Sequence, residues 1–198
     1  MSKTKIPYNK NTAFKAVIVL VLIGAILGAL LGILNDVLFV SAEERMMRII
    51  KTFYDGQEMA YTSIELNESD SVNQFGTIKT VYCMENGNYL LKTVGKDGFH
   101  GGTVTMWLLV AFENGQFKEI LKVKYAESDG QTLMLNFSAE YYDAYVGGDI
   151  KNGYFTVQTG SANTHFVAGT TKSSNAINNA VNSAYYYIVN VLEVQNEN

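Results

Sequence analysis

The chain of 198 residues has one cysteine (Cys83), one proline (Pro7) and two histidines (His100 and His165). A lone thiol closes no internal disulfide, and it lacks the partners of a thiolate metal site. Two histidines argue against a His-rich metal centre. Cys83 also lies far beyond the apolar run described below, so it is not the lipid-bearing cysteine that begins a mature lipoprotein. Charge is sparse too: 17% of the residues are Asp, Glu, Lys or Arg, against 47% apolar. That composition can bury one sizeable core and is not that of a disordered tail. No nucleophile-base pair and no carboxylate dyad supports an independent hydrolase.

The apolar excess, which lifts the mean hydropathy to +0.02, is concentrated near the N-terminus. Ala16 to Asn35 is a run of 20 residues without a charge, long enough as a helix to cross a bilayer core of about 30 Å. Lys3, Lys5, Lys10 and Lys15 precede it, and Asp36, Glu43 and Glu44 follow. The positive-inside tendency then keeps the N-terminus cytoplasmic and puts the rest outside a single-pass cell-membrane anchor. From residue 37 onward there are 11 basic and 18 acidic residues, a net −7, which argues against a nucleic-acid partner. A cleaved signal peptide is the rival reading, with small residues at Val40-Ser41-Ala42, but signal cores run only about 7 to 15 residues. The expected organisation is a basic tail over 1–15, a transmembrane helix over 16–35, a juxtamembrane helix over 36–56 and one extracytoplasmic domain over 57–198.

That domain reads as α+β. A helix from Val37 to Tyr54 is expected to continue the membrane helix, and the polar stretch Tyr61 to Asn73 to form a loop. Gly76–Met84 and Tyr89–Val94 flank Glu85-Asn86-Gly87-Asn88, and Thr103–Phe112 and Phe117–Tyr125 flank Glu113-Asn114-Gly115-Gln116. Both Asn-Gly pairs predict tight hairpins, so the four strands form an antiparallel sheet. Leu133, Phe137, Tyr141 and Tyr145 recur every four residues and predict a helix over 131–145, closed by Gly147-Gly148. Tyr154 to Gln158 alternates like a short strand. In the last helix, Ile177, Val181, Ala184, Ile188 and Leu192 mark the buried face, with Asn178, Asn182 and Asn190 facing elsewhere.

Val167-Ala168-Gly169-Thr170-Thr171-Lys172-Ser173-Ser174 is the stretch hardest to explain as scaffolding. Glycine allows close backbone approach, the first-turn N–H groups of a helix lack partners, and its dipole favours an anion, so the pattern suits a phosphate with Lys172 as countercharge. Equally, Ser173 or Ser174 could simply cap the helix.

This segment resembles the covalent-flavin motif of the FMN-binding domain found in the G subunit of the Rnf ion-translocating oxidoreductase and the C subunit of the sodium-pumping NADH:quinone reductase. The family pattern is approximately Asp-x-x-Ser-Gly-Ala-Thr-x-Thr/Ser. Gly169, Thr171 and the closing hydroxyl of Ser173 match it, whereas His165, Ala168 and Thr170 replace its Asp, Ser and Ala. The basic N-terminus, single span, acidic juxtamembrane helix and paired hairpins are also similar to the family, as is Phe99-His100-Gly101-Gly102. Glu127-Ser128-Asp129-Gly130-Gln131-Thr132 keeps a remnant of the family's Glu-Thr-Pro-Gly-Leu-Gly loop. The resemblance implies an electron-transfer subunit of an ion-translocating membrane complex, a redox subunit and not a stand-alone enzyme. Its partners would be other membrane subunits, a flavin transferase and the lipid bilayer. FMN would be esterified through its phosphate to Ser173, with Thr171 the second candidate, Gly169, Thr170 and Lys172 around the phosphate, and His100 and Glu127 near the ring. The altered motif leaves a second expectation open: a membrane-tethered binding or structural module that keeps the fold without the flavin.

Overall fold

The computed structural model describes residues 10–38, 40–148 and 153–196. Of the expected basic tail over 1–15, residues 1–9 lie outside them. The chain divides into two compact units, Met1–Ile49 and Ile50–Asn198.

In the first unit, helix α1 (Lys10–Leu38) contains the one helix segment among the described residues that is long and apolar enough to cross a membrane, Phe14–Leu34, with a mean hydropathy of 3.1. The side chains of Phe14–Leu34 are exposed all round, which is how a lipid-facing helix differs from a core helix. The following helix does not continue it. Helix α2 (Ala42–Phe53) starts afresh at Ser41, whose Oγ accepts from the Glu44 N–H at 3.0 Å, a side-chain cap that defines a new N-terminus. The expected uninterrupted helix from Val37 to Tyr54 is thus corrected to two helices.

The second unit is α+β, built on a five-stranded antiparallel sheet: β1 (Tyr61–Ile64), β2 (Gly76–Met84), β3 (Tyr89–Gly95), β4 (Thr103–Glu113) and β5 (Gln116–Asp129). The strands lie side by side in chain order. Both predicted hairpins are present. Glu113 pairs with Gln116 across Asn114-Gly115, and both turn residues have positive φ, 54° and 81°. These are the angles a two-residue primed turn needs, and Asn-Gly tolerates them best. Part of the expected 61–73 loop is strand β1, followed by the single turn α3 (Glu68–Ser71). Its polar residues hid β1 because it is an edge strand with two exposed positions.

One sheet face carries Val81, Leu91, Met106, Leu108, Val110 and Ile120. They pack under helix α5 (Thr171–Tyr187), which runs on through a wide π-type turn (Ile188–Leu192) into α6 (Glu193–Asn196). Ile177, Val181, Ala184, Ile188 and Leu192 are buried as expected. Asn178 and Asn182 are not outward-facing; each is only 1% exposed. Asn182 exchanges both hydrogen bonds with the Phe155 backbone, at 2.9 and 2.8 Å, and Asn178 Nδ2 donates to the His165 carbonyl at 2.8 Å. These amides dock the irregular segment over 153–170 onto α5, in place of the ladder bonds it lacks. The expected strand over Tyr154–Gln158 reduces to an isolated bridge between Thr156 and Thr164. The helix expected over 131–145 shrinks to a 3₁₀ turn (Met134–Asn136) and α4 (Ala139–Asp143), although Phe137, Tyr141 and Tyr145 are buried as their spacing predicted.

On the opposite sheet face, Leu90, Trp107 and Leu109 are buried. The last turn of α2 lies against this side: Lys122 Nζ donates to the Phe53 carbonyl at 3.2 Å, and the Lys124 ammonium sits 5.6 Å from the Phe53 ring centre.

Candidate functional site

The N-terminus of α5 is shaped by a tight turn. The Thr170 N–H donates to the Val167 carbonyl at 3.1 Å, which places Gly169 third in a four-residue turn with φ of 82°, the position that requires glycine in a type II turn. Thr170 is the N-cap residue but gives no side-chain cap. Its hydroxyl donates back to the Val167 carbonyl at 2.9 Å, while Ser174 Oγ accepts from the Val167 N–H at 3.1 Å. The first N–H of the helix to turn back on it is that of Ser174, bonded to the Thr170 carbonyl at 2.9 Å. The N–H groups of Thr171, Lys172 and Ser173 therefore precede the intrahelical ladder. No acidic side chain occupies this first turn, so the helix dipole and Lys172 act together on an anion.

A pocket of about 270 Å³ opens at this point, lined by Gly169, Thr170, Thr171, Lys172 and Ser173 on one side and by Phe99, Thr132 and Leu133 on the other. Five of the seven expected site residues are thus brought together. Their exposure differs. Thr171 and Lys172 are exposed, whereas Thr170 and Ser173 are 4% and 3% exposed. Ser173 Oγ donates to Gln131 Oε1 at 2.8 Å.

The other two expected residues stand apart. His100 is exposed in the short 3₁₀ turn Phe99–Gly101, its ring edge-on to Phe99 with centroids 4.0 Å apart, so it adjoins the pocket wall without lining it. Glu127 lies on the far face of the sheet. It bonds Lys92 at 3.0 Å, and Lys92 alternates with Leu91 and Thr93, both turned toward α5. Glu127 therefore has no part in this pocket.

Sequence reasoning missed Gln131, Phe99, Thr132 and Leu133. Phe99 and Gln131 stand in the same two segments as His100 and Glu127, and in a sequence the titratable side chains are the conspicuous ones. Gly130, with φ of 67°, ends β5 and turns Gln131 toward α5. His165, which opens the hydroxyl-rich stretch, is half-buried and packs against core aromatics. Its ring stacks on Tyr141 with centroids 4.1 Å apart, meets Tyr145 edge-on at 4.5 Å, and bonds the Tyr141 carbonyl through Nε2 at 3.0 Å. Burial holds its pKa below the ordinary value, partly opposed by that hydrogen bond.

Chemically, the pocket offers unbonded first-turn N–H groups, an exposed hydroxyl, a lysine and an apolar wall. That donor set fits a phosphoryl group. Among the described residues, no group of three His, Cys, Asp or Glu side chains converges to hold a metal ion. No protein-family model matches the chain, and no curated protein matches it.

Proposed function

We propose that the second unit holds FMN through its phosphate at the N-terminus of α5, and that the chain is the membrane-anchored electron-transfer subunit of an ion-translocating oxidoreductase complex. The observation that carries this reading is the convergence of Gly169, Thr170, Thr171, Lys172 and Ser173 on one pocket at a helix N-terminus. The flavin would supply the redox chemistry, and the protein its placement and electrostatic surroundings. The first-turn N–H groups and Lys172 neutralise the phosphate, Ser173 carries it as an ester with Thr171 as second acceptor, and Phe99 and Leu133 give apolar surface beside it. At about 270 Å³ the pocket falls just under the ~300–1,000 Å³ of small-molecule sites, a size suited to the phosphorylated end. Phe99 and Leu133 remain 40% and 43% exposed. The N-terminus lies on the cytoplasmic side, and the flavin-bearing unit on the other.

Co-expression with a flavin transferase, followed by intact-mass analysis of the full chain, tests the reading. Wild type should gain one FMN-sized increment and Ser173→Ala should lose it. An increment that survives moves the attachment to Thr171. No increment in wild type, and no flavin absorbance in the purified protein, removes the flavin.

A second reading, a tethered binding or structural module without flavin, is favoured by one observation: Ser173 is 3% exposed and its hydroxyl is already bonded to Gln131. The same measurement separates the two.

A further inference from the structure

The side-chain amide of Gln131 joins three segments of the chain. Its Oε1 accepts from the Phe99 N–H at 3.1 Å and from Ser173 Oγ at 2.8 Å, and its Nε2 donates to the carbonyls of Asp129 at 3.2 Å and Phe99 at 3.4 Å. A backbone N–H can only donate and a backbone carbonyl can only accept, so these neighbours fix which end of the amide is oxygen. The oxygen faces Ser173, and the serine hydroxyl must therefore be the donor. With its one proton committed to Gln131, both lone pairs of Ser173 Oγ are left for whatever enters the pocket. The turn before β4 is fitted around the amide: a Cβ on Gly98 or Gly102 would lie 2.5 Å from Gln131 Nε2.

This orientation suits one task better than another. A fully ionised phosphate has no proton to offer Ser173 and would meet only its lone pairs, so the hydroxyl adds nothing to noncovalent retention. A nucleophile needs its lone pair aimed into the pocket and its proton held away from the line of attack. We infer that Gln131 is the positioning residue of the site, orienting Ser173 Oγ for attack on a phosphoryl centre, an assignment that rests on the flavin reading above. In the transfer, a bond forms between Ser173 Oγ and the flavin-side phosphorus of a flavin dinucleotide. The phosphoanhydride P–O bond breaks, and the nucleoside monophosphate leaves with that electron pair. The seryl proton passes to solvent as the P–O bond forms; Gln131 accepts its hydrogen bond until it leaves and takes no proton itself.

The experiment uses full-length chain purified without flavin, mixed with flavin transferase and flavin dinucleotide, with attachment followed by intact mass at several pH values. Gln131→Leu removes the acceptor and should lower the turnover number about tenfold or more while leaving the half-saturating chain concentration unchanged, the mark of an interaction made in the transition state. Gln131→Glu is the conservative variant. As a neutral carboxyl it can imitate the amide, but once ionised it faces the Asp129 and Phe99 carbonyls without a proton to donate. Its attachment rate, divided by that of wild type at the same pH, should approach one at low pH and fall as pH rises. Gln131→Leu attaching at the wild-type rate overturns the positioning role and leaves the flavin reading intact. A rise in half-saturating concentration at unchanged turnover reduces Gln131 to a structural support and also overturns it. If Gln131→Leu fails to fold, the pH profile of the Gln131→Glu ratio decides, and a flat ratio overturns the assignment. Wild type that accepts no flavin overturns both readings.

Discussion

Gly95 of β3 lies directly against the backbone of α5 at Ala176: a Cβ built on Gly95 would stand 2.0 Å from the Ala176 carbonyl oxygen and 2.2 Å from the Ala180 N–H nitrogen. Nothing flexible surrounds it, since both neighbours are helix backbone. Helix and sheet meet here without an intervening side chain, and Thr93 Oγ1 adds a hydrogen bond to the Ala180 carbonyl at 2.9 Å. Gly95→Ala should therefore push α5 off β3 and cost ~3 kcal/mol or more, read as a lowered midpoint in urea unfolding. An unchanged midpoint would mean that the helix does not approach the strand this closely.

Asn178 is tied on both sides of its amide. Its Oδ1 accepts from the Tyr145 hydroxyl at 2.5 Å and its Nδ2 donates to the His165 carbonyl. Asn178→Ala takes the amide partner from the part-buried His165 carbonyl and leaves the buried Tyr145 hydroxyl only its 3.3 Å contact with the Tyr141 hydroxyl, and should cost roughly 2–3 kcal/mol, whereas Tyr145→Phe removes one partner and should cost less. Melting temperatures of the two variants and the double mutant give the order. A Tyr145→Phe loss equal to that of Asn178→Ala would contradict this arrangement.

His165 should give the fold an acid limb. Burial lowers its pKa from 6.5 in the folded protein, so the folded state keeps it neutral while the unfolded chain takes up a proton. Stability is then fully present above about pH 6.5 and declines as pH falls toward the lower folded value, because the unfolded state binds more protons there. Melting temperature measured from about pH 7.5 down to 5 should fall for wild type. In His165→Gln the slope over that range should flatten.

Orientation is tested on intact cells. Protease added from outside should digest the second unit and spare the N-terminal segment, as the lysines before the span require. A protected second unit would reverse the topology, and with it the compartment of the proposed flavin attachment.

The parts of the fold that were legible share a local cause. An uninterrupted apolar run can only be lipid-facing or wholly buried, and Asn-Gly between β-rich runs supplies the positive φ that a hairpin needs. The buried stripe of α5 follows from helical period. What escaped was decided by tertiary contacts. Asn178 and Asn182 look like surface residues until the irregular 153–170 segment is seen to need their amides. The four-residue period from Leu133 to Tyr145 marked side chains that are mostly buried, though the backbone between them is mostly not helical. In the candidate site, Gly169, Thr170, Thr171, Lys172 and Ser173 were readable because a single turn brings them together. Gln131 was not, because it stands 42 residues before Ser173 in sequence yet beside it in space.

The chain-order meander also has a consequence during synthesis. Each strand finds its partner in the strand made just before it, so the sheet can assemble as the chain emerges. Its cover arrives last. From the end of β5 at Asp129 to Leu192, the last buried residue of its cover, there are 63 residues, about 3–13 s of translation at ~5–20 residues per second. Throughout that interval Val81, Leu91, Leu108 and Val110 form a finished but bare apolar face. A chain ending before Thr171 would keep that face permanently. The segment that carries the candidate site is thus also the one on which escape from aggregation and proteolytic clearance depends.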